Sequence, residues 1–197
     1  MTRSSLVVLL SLAALLSACD DPARPLPPIE TYFSPHGGAT DAVAREIDRA
    51  ERAIFVQAYS FTSPKIAEAL VRAHQRGVVV HVILDKSNRT EEYSAADFLA
   101  HSGIAVLIDA QHEIAHNKII HLDGRTVITG SFNFTKQAEN SNAENLLIIR
   151  DDVIAARYLE NWHDHENHSE AYTARAGSSD QRGDEHRHGQ HSQHRPR

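Results

Sequence analysis

The chain has 197 residues, with 20 Lys and Arg against 26 Asp and Glu, a net charge of −6 with histidine neutral, and 41% hydrophobic residues. That length and apolar content suit one globular domain with a sizeable core, and the acidic balance excludes a chain evenly coated with positive charge for nucleic acid. A single cysteine, Cys19, excludes an intrachain disulfide and a cysteine-based zinc site.

Arg3, an apolar run from Leu6 to Leu16 and the small residues Ser17 and Ala18 have the layout of an export signal over residues 1–18, too short to span a bilayer comfortably. A plain secretory cut favours a small residue where Leu16 stands. Leu16-Ser17-Ala18-Cys19 instead resembles a bacterial lipobox, which predicts Cys19 as a lipidated first mature residue. An exported protein, periplasmic and held at a membrane by its lipid, is the expectation, and Asp20 resembles an inner-membrane retention signal. Residues 19–28, with Pro22, Pro25, Pro27 and Pro28, read as an extended spacer.

From Ile29 the pattern alternates between strand and helix. Strands are predicted at Ile29 to Phe33, Ile54 to Tyr59, Val78 to Leu84 and Ile104 to Ile108. Between them lie helices at Thr40 to Glu51, capped by Thr40 or Asp41, at Pro64 to Gln75, opened by Pro64 and closed before Gly77, and at Ser94 to His101, closed by Gly103. The near-continuous apolar run of Val78 to Leu84 suits a strand buried on both faces. A hairpin follows: Ile119, Ile120 and Leu122, the turn pair Asp123-Gly124, then Arg125 to Thr129. A strand at Asn145 to Ile149 and a helix from Asp152 to about His163, capped by Asp151, complete the pattern. It predicts an α/β fold, a three-layer α-β-α sandwich with a mixed sheet, over residues 29–165. Residues 166–197 are rich in Gly, Ser, Gln, Arg and His and read as a disordered tail; seven of the 14 histidines lie between His163 and His194. Such tracts hold metal weakly, and the bland alternative is a solvated tail.

The hairpin carries the chemistry. His116, Lys118, Asp123, Gly130, Ser131 and Asn133 place an imidazole, an ammonium, a carboxylate, a hydroxyl and an amide at fixed spacings. Any one of them reads best as the wet side of a half-buried hairpin. Six specified positions together arise by chance on the order of once in 10⁸ starting points.

The spacing HxK(x)4D(x)6GSxN resembles the signature of the phospholipase D superfamily, and Tyr32-Phe33-Ser34-Pro35, Ala58-Tyr59-Ser60-Phe61-Thr62 and Glu144-Asn145 extend the likeness from about Glu30 to about Asn161. The resemblance implies a three-layer phospholipase D-like fold and a phosphodiesterase. It makes His116 the nucleophile that forms a phosphohistidine, sets Lys118 and Asn133 on the phosphate, Ser131 assisting through its hydroxyl, and Glu144 orienting the imidazole. Asp123 belongs to the same catalytic signature, although its place in the turn also suits a purely structural task. His121 falls on the opposite strand face and reads as structural. Only one copy of the motif is present, so a second histidine has to come from another chain, which predicts a homodimer with a shared active site.

No cofactor and no metal are expected, because no clustered Asp, Glu and His ligands accompany the motif and Lys118 supplies the positive charge. Short exported single-motif members of the superfamily resemble nonspecific endonucleases, which makes DNA the first candidate substrate and RNA the next. A nucleic-acid groove must then be local, with Lys65, Lys86, Arg89, Lys118, Arg125 and Lys136 as available cations and Lys136 and Arg89 on flanking phosphates. The alternatives are a phospholipase D-type hydrolase of membrane phospholipids and a noncatalytic nucleic-acid-binding module.

Overall fold

The computed structural model describes residues 26–92 and 94–175. The export signal, Cys19, most of the proline-rich spacer and the tail from residue 176 lie outside the described residues. Eight strands form one sheet in the order β1-β7-β6-β5-β2-β3-β4-β8. They are β1 (Ile29–Ser34), β2 (Ala53–Ala58), β3 (Val79–Asp85), β4 (Ala105–Asp109), β5 (Lys118–Leu122), β6 (Thr126–Gly130), β7 (Glu144–Arg150) and β8 (Glu170–Ala171). The parallel trio β2, β3 and β4 is linked by the crossover helices α2 (Pro64–Gln75) and α3 (Ala96–His101), while β5, β6 and β7 form an antiparallel meander. The sheet is mixed, as the alternating pattern predicts.

Alternation along the strands sorts the core into two layers. Ile54, Val56, Ile120, Ile128 and Ile148 share a large apolar cluster with Val43 and Ile47 of α1 (Ala39–Arg49) and Ile66 and Leu70 of α2. Their neighbours Ile119 and Val127 pack against Ala155 and Tyr158 of α5 (Asp152–Glu166). Trp162 of α5 is 1% exposed, packs at a tilt against Phe55 with ring centroids 4.8 Å apart and donates its indole N–H to the Val56 carbonyl at 3.1 Å. Burying that ring with its one donor satisfied stabilises the α5 layer by about 3–5 kcal/mol relative to alanine. Among the described residues no helix is long and apolar enough to cross a membrane.

Helix starts show where local signals suffice and where they do not. Pro64 opens α2 and Asp151 caps α5 by accepting the Ile154 N–H at 2.8 Å, both as the sequence predicts. Neither Thr40 nor Asp41 caps α1. Its first N–H groups are met by the Glu139 carboxylate, which accepts from Gly38 N at 2.9 Å and Thr40 N at 2.7 Å. Glu139 belongs to α4 (Lys136–Asn140), a short helix inside the segment expected to be merely polar.

The domain also runs past the predicted end at residue 165, and the disordered reading fails for residues 166–175. Glu170 and Ala171 pair with Ile108 and Leu107, and Tyr172 N donates to the Val106 carbonyl at 2.9 Å. Tyr172 packs on the core, its hydroxyl 2.8 Å from Asp97 Oδ1, and Arg175 Nε lies 2.6 Å from Asp97 Oδ2. A two-residue strand has no periodicity to read, so only the exposed edge of β4 reveals its place.

Candidate active site

One end of the sheet gathers the chemistry. Lys118 starts β5, Gly130 ends β6, Glu144 starts β7, Ser34 ends β1 and Ala58 ends β2; the register sets Ala58 opposite Lys118 and Ser34 opposite Glu144. Side chains on neighbouring strands therefore stand about 4.8 Å apart across this edge.

His116 precedes β5 on an exposed position, its ring 4.7 Å from that of Tyr59. Lys118 is 7% exposed; its ammonium donates to the His116 carbonyl at 2.7 Å and sits 5.0 Å from the centre of the Tyr59 ring. Burial pulls the Lys118 pKa below the ordinary lysine value, and the negative charge of Glu144 pulls it back in part. One donated hydrogen bond leaves two ammonium N–H groups for a ligand.

Buried polar groups from β3 and the turn after it fix this corner. Asp85, 1% exposed, accepts the Ala115 N–H at 2.7 Å, immediately before His116. Asn88 donates to the Tyr59 carbonyl at 2.7 Å, and Tyr59 N donates to the Asn117 carbonyl at 2.8 Å. The loop bearing the imidazole is thereby tied at residues 115 and 117.

The Gly-Ser-Phe-Asn segment wraps around one carbonyl. Ser131 N and Phe132 N donate to Asn145 O at 3.1 and 3.2 Å, and Ser131 Oγ accepts from Asn145 N at 3.0 Å. A Cβ at Gly130 would lie 2.3 Å from that same oxygen, and φ there is +148°, so only glycine fits the approach. Phe132 and Phe134 are buried, which turns the intervening Asn133 the other way; its Oδ1 is buried and makes no hydrogen bond among the described residues. That oxygen can accept from a donor outside the described residues, while a phosphoryl oxygen would be met by the amide NH2.

Glu144 stands at this edge too, but within one chain its carboxylate accepts from Asn142 Nδ2 at 3.0 Å and acts on Lys118 by charge, with no hydrogen bond to His116.

Three other expectations change. Asp123 lies in the turn at the far end of β5, roughly 20 Å from His116 by strand rise, where its carboxylate accepts from Glu51 N at 3.0 Å, Arg52 N at 2.8 Å and Ala53 N at 3.1 Å. Burial raises its pKa and those three donors lower it further, leaving it below the usual carboxylate value. It staples the hairpin turn to the start of β2 and does not reach the reacting end. The hollow of about 570 Å³ beside it, lined by Arg125, Arg150 and Asp151, belongs to that far end. Arg89 is spent on an ion pair with Glu170 of the β8 segment. Lys136 is exposed at the start of α4 and lines a hollow of about 600 Å³ with Lys65, Arg72, Asp41 and Glu68, a mixed-charge surface.

Tyr59, Asp85 and Asn145 were missed as parts of the site. Tyr59 and Asn145 lie inside segments that carry the family likeness, so that signal existed; Asp85 had none beyond ending a buried strand. Away from the motif, Asp109, His112, His165 and His168 come together beyond the end of β4, a grouping that the sequence reading does not anticipate. His121 is 1% exposed, neither ring nitrogen has a hydrogen-bond partner among the described residues, and burial lowers its pKa, as suits a structural ring beneath α5.

The sequence profile described as "Cardiolipin synthase, PLD-like domain" matches residues 43–165. A protein named phospholipase D from Rickettsia felis is 46% identical over 134 residues, which cover 68% of this chain and 67% of that protein. The mitochondrial cardiolipin hydrolase of Homo sapiens is 35% identical over 127 residues, covering 64% of this chain and 50% of that one. Among solved structures, the phospholipase D family member Nuc from Salmonella typhimurium superposes with a TM-score of 0.72 at 41% identity, over 75% of this chain and 99% of that chain. NucT from Helicobacter pylori shares the fold with a TM-score of 0.67 at 21% identity, over 74% of this chain and all of that chain.

Proposed function

The chain belongs to the phospholipase D superfamily and is a phosphodiester hydrolase, and we propose that its substrate is nucleic acid, DNA first and RNA next, cut endonucleolytically through a phosphohistidine on His116. The observation that carries this reading is the openness of the site: His116 is exposed at a sheet edge among polar groups, Ser131 and Asn145 exposed and Asn117, Asn133, Asn142 and Glu144 half-buried. A polymer backbone can lie across such an edge.

In the proposed mechanism, neutral His116 attacks phosphorus. Lys118 and the Asn133 amide hold the phosphoryl oxygens as negative charge spreads over them, and Ser131 assists. A second His116, contributed by a two-fold partner, gives its proton to the leaving alkoxide and then activates water to break the phosphohistidine. The positive charge at phosphorus comes from Lys118, so no metal enters these steps. Sedimentation at micromolar concentration is expected to give a dimer; a fully active monomer would rule out the shared site.

The lipid reading is kept because relatives are named phospholipase D and mitochondrial cardiolipin hydrolase, and because Phe33 and Ile114, both near the site in sequence or register, are 67% and 52% exposed. Plasmid, RNA and vesicles of phosphatidylcholine with cardiolipin, digested side by side with EDTA added at the start of the assay, separate the two. Nicked plasmid and intact lipid are expected, with activity falling steeply as salt rises. Cleaved lipid beside intact DNA at low salt overturns the nuclease reading. The lipobox-like run before Cys19 supports lipidation there, and Cys19→Ser should then release the protein from membranes; unchanged membrane fractionation would refute it.

A further inference from the structure

We propose that Asp109, His112, His165 and His168 form a structural site for one divalent transition-metal ion, zinc above all, separate from the hydrolytic centre. Asp109 ends β4 and its side chain is fully buried. Its Oδ1 is occupied by the backbone N–H groups of Gln111 at 3.1 Å and His112 at 3.4 Å, so only Oδ2 faces the three rings. Onto that single oxygen converge His165 Nδ1 at 2.7 Å, His112 Nδ1 at 2.9 Å and His168 Nε2 at 3.3 Å.

Hydrogen bonding accounts poorly for this convergence. A carboxylate oxygen has two lone pairs to offer three nitrogens, and His168 Nε2 is buried without a hydrogen bond of acceptable geometry among the described residues. The rings are also crowded, with centroids 4.9 Å apart for His112 and His165, 5.2 Å for His112 and His168 and 5.4 Å for His165 and His168.

A metal ion accounts for it well. Four ligands at about 2.0–2.1 Å from zinc in a tetrahedron stand about 3.3 Å from one another. The four ligand atoms here all lie within 4.8 Å of one another and the separations from Asp109 Oδ2 run from 2.7 to 3.3 Å, so an ion is seated when the shortest separations open by about half an ångström and the widest close by up to about 1.5 Å, movements that side-chain rotation of three rings supplies. Three neutral imidazoles and one carboxylate suit zinc and leave a net charge of +1.

The set is closed, with four protein ligands and no position left for a reacting water, the pattern of a structural site. It also lies three strands from Lys118 across the sheet, roughly 14 Å at strand spacing. What it joins is informative: His112 comes from the loop that leads into His116, His165 from the last turn of α5, and His168 from the segment entering β8. An ion here clamps the catalytic loop, α5 and the edge strand to the end of β4.

The test uses the full chain, stripped by dialysis against a chelator and titrated with Co²⁺ and then Zn²⁺. Because His186, His188, His191 and His194 can bind metal on their own, a second full-length protein carries serine at those four positions. Both are expected to bind one tight equivalent, to show the intense visible bands of four-coordinate Co²⁺, and to gain about 5–10 °C in Tm with free zinc at a hundredfold excess over Kd. His168→Ala and His112→Ala remove partly exposed ligands, and each should weaken binding at least about a hundredfold and abolish the bands and the Tm gain. Asp109→Asn should do the same if it folds. Binding that disappears with the four tail histidines, or that survives both His168→Ala and His112→Ala, overturns the site. So does a folded wild-type protein that takes up no metal. The outcome is independent of which phosphodiester is cut.

Discussion

Asp123 is part of the motif spacing yet sits at the wrong end of its hairpin for chemistry, and Asp123→Ala separates the two roles. Three backbone N–H groups, of Glu51, Arg52 and Ala53, lose a charged acceptor. Water can replace it at exposed Glu51 and Arg52, while half-buried Ala53 loses a charge-assisted bond worth about 1.5–3 kcal/mol. Asp123 also has φ 55°, a left-handed conformation that costs alanine about 1 kcal/mol more. The expected loss is about 3 kcal/mol, or a Tm lower by roughly 6–12 °C for a domain of this size. Burial raises the Asp123 pKa and the three donors outweigh it, so the folded value lies below the unfolded one, near 3.8. The carboxylate's stabilisation is therefore fully present above about that pH and is lost as pH falls through the folded value, so the gap between wild-type and variant Tm should hold from pH 6 to 8 and narrow in acid, leaving the backbone cost of about 1 kcal/mol. Turnover of bis-nitrophenyl phosphate, measured well below both melting points, should stay within about threefold of wild type, as for a residue that acts on stability alone. A variant with wild-type Tm and a hundredfold loss of kcat would refute the reasoning.

Gly130→Ala should lower kcat at least tenfold and lower Tm, because its Cβ would stand 2.3 Å from the Asn145 carbonyl that anchors Ser131; unchanged kinetics would show that the loop yields freely. His116→Ala should lose at least about a hundredfold in turnover with little change in Tm, since the ring is exposed, and retained activity would remove it as nucleophile. Asp85→Asn weakens the acceptor that holds Ala115 N, so kcat should fall more than KM rises, checked by full kinetics on the small diester. Ending the chain after Glu166 removes β8, Tyr172 and the Arg175 to Asp97 pair and should lower Tm by several degrees; an unchanged melt would mean that this segment does not dock.

Local signals settled a good deal. Two apolar runs around Asp123-Gly124 make an antiparallel hairpin whatever else the chain does, and the observed φ values of 55° and 76° at those two residues are what that turn demands. Because a hairpin is self-contained, His116 and Lys118 at its start and Ser131 and Asn133 past its end fall at the same end of the sheet, so that placement was legible in the sequence. The same holds for α2, begun by Pro64 and stopped at Gly77, and for the existence of β3, although Val79 is exposed and His81 half-buried on one of its faces.

Tertiary structure decided whatever depends on partners far away along the chain, where no periodicity links the two ends. Glu139 caps α1 from 99 residues away, and Asp123 finds its donors about 70 residues upstream. His165 reaches Asp109 across 56 residues only because α5 packs back over the sheet on Trp162 and runs its last turn to the end of β4. Apolar periodicity shows which face of an element is buried; which polar groups then arrive at the same strand end is settled by how the layers pack, and that is where the sequence predicts a catalytic Asp123, a tail beginning at residue 166 and no metal ligands, and the fold supplies a staple, an edge strand and a ring of three histidines.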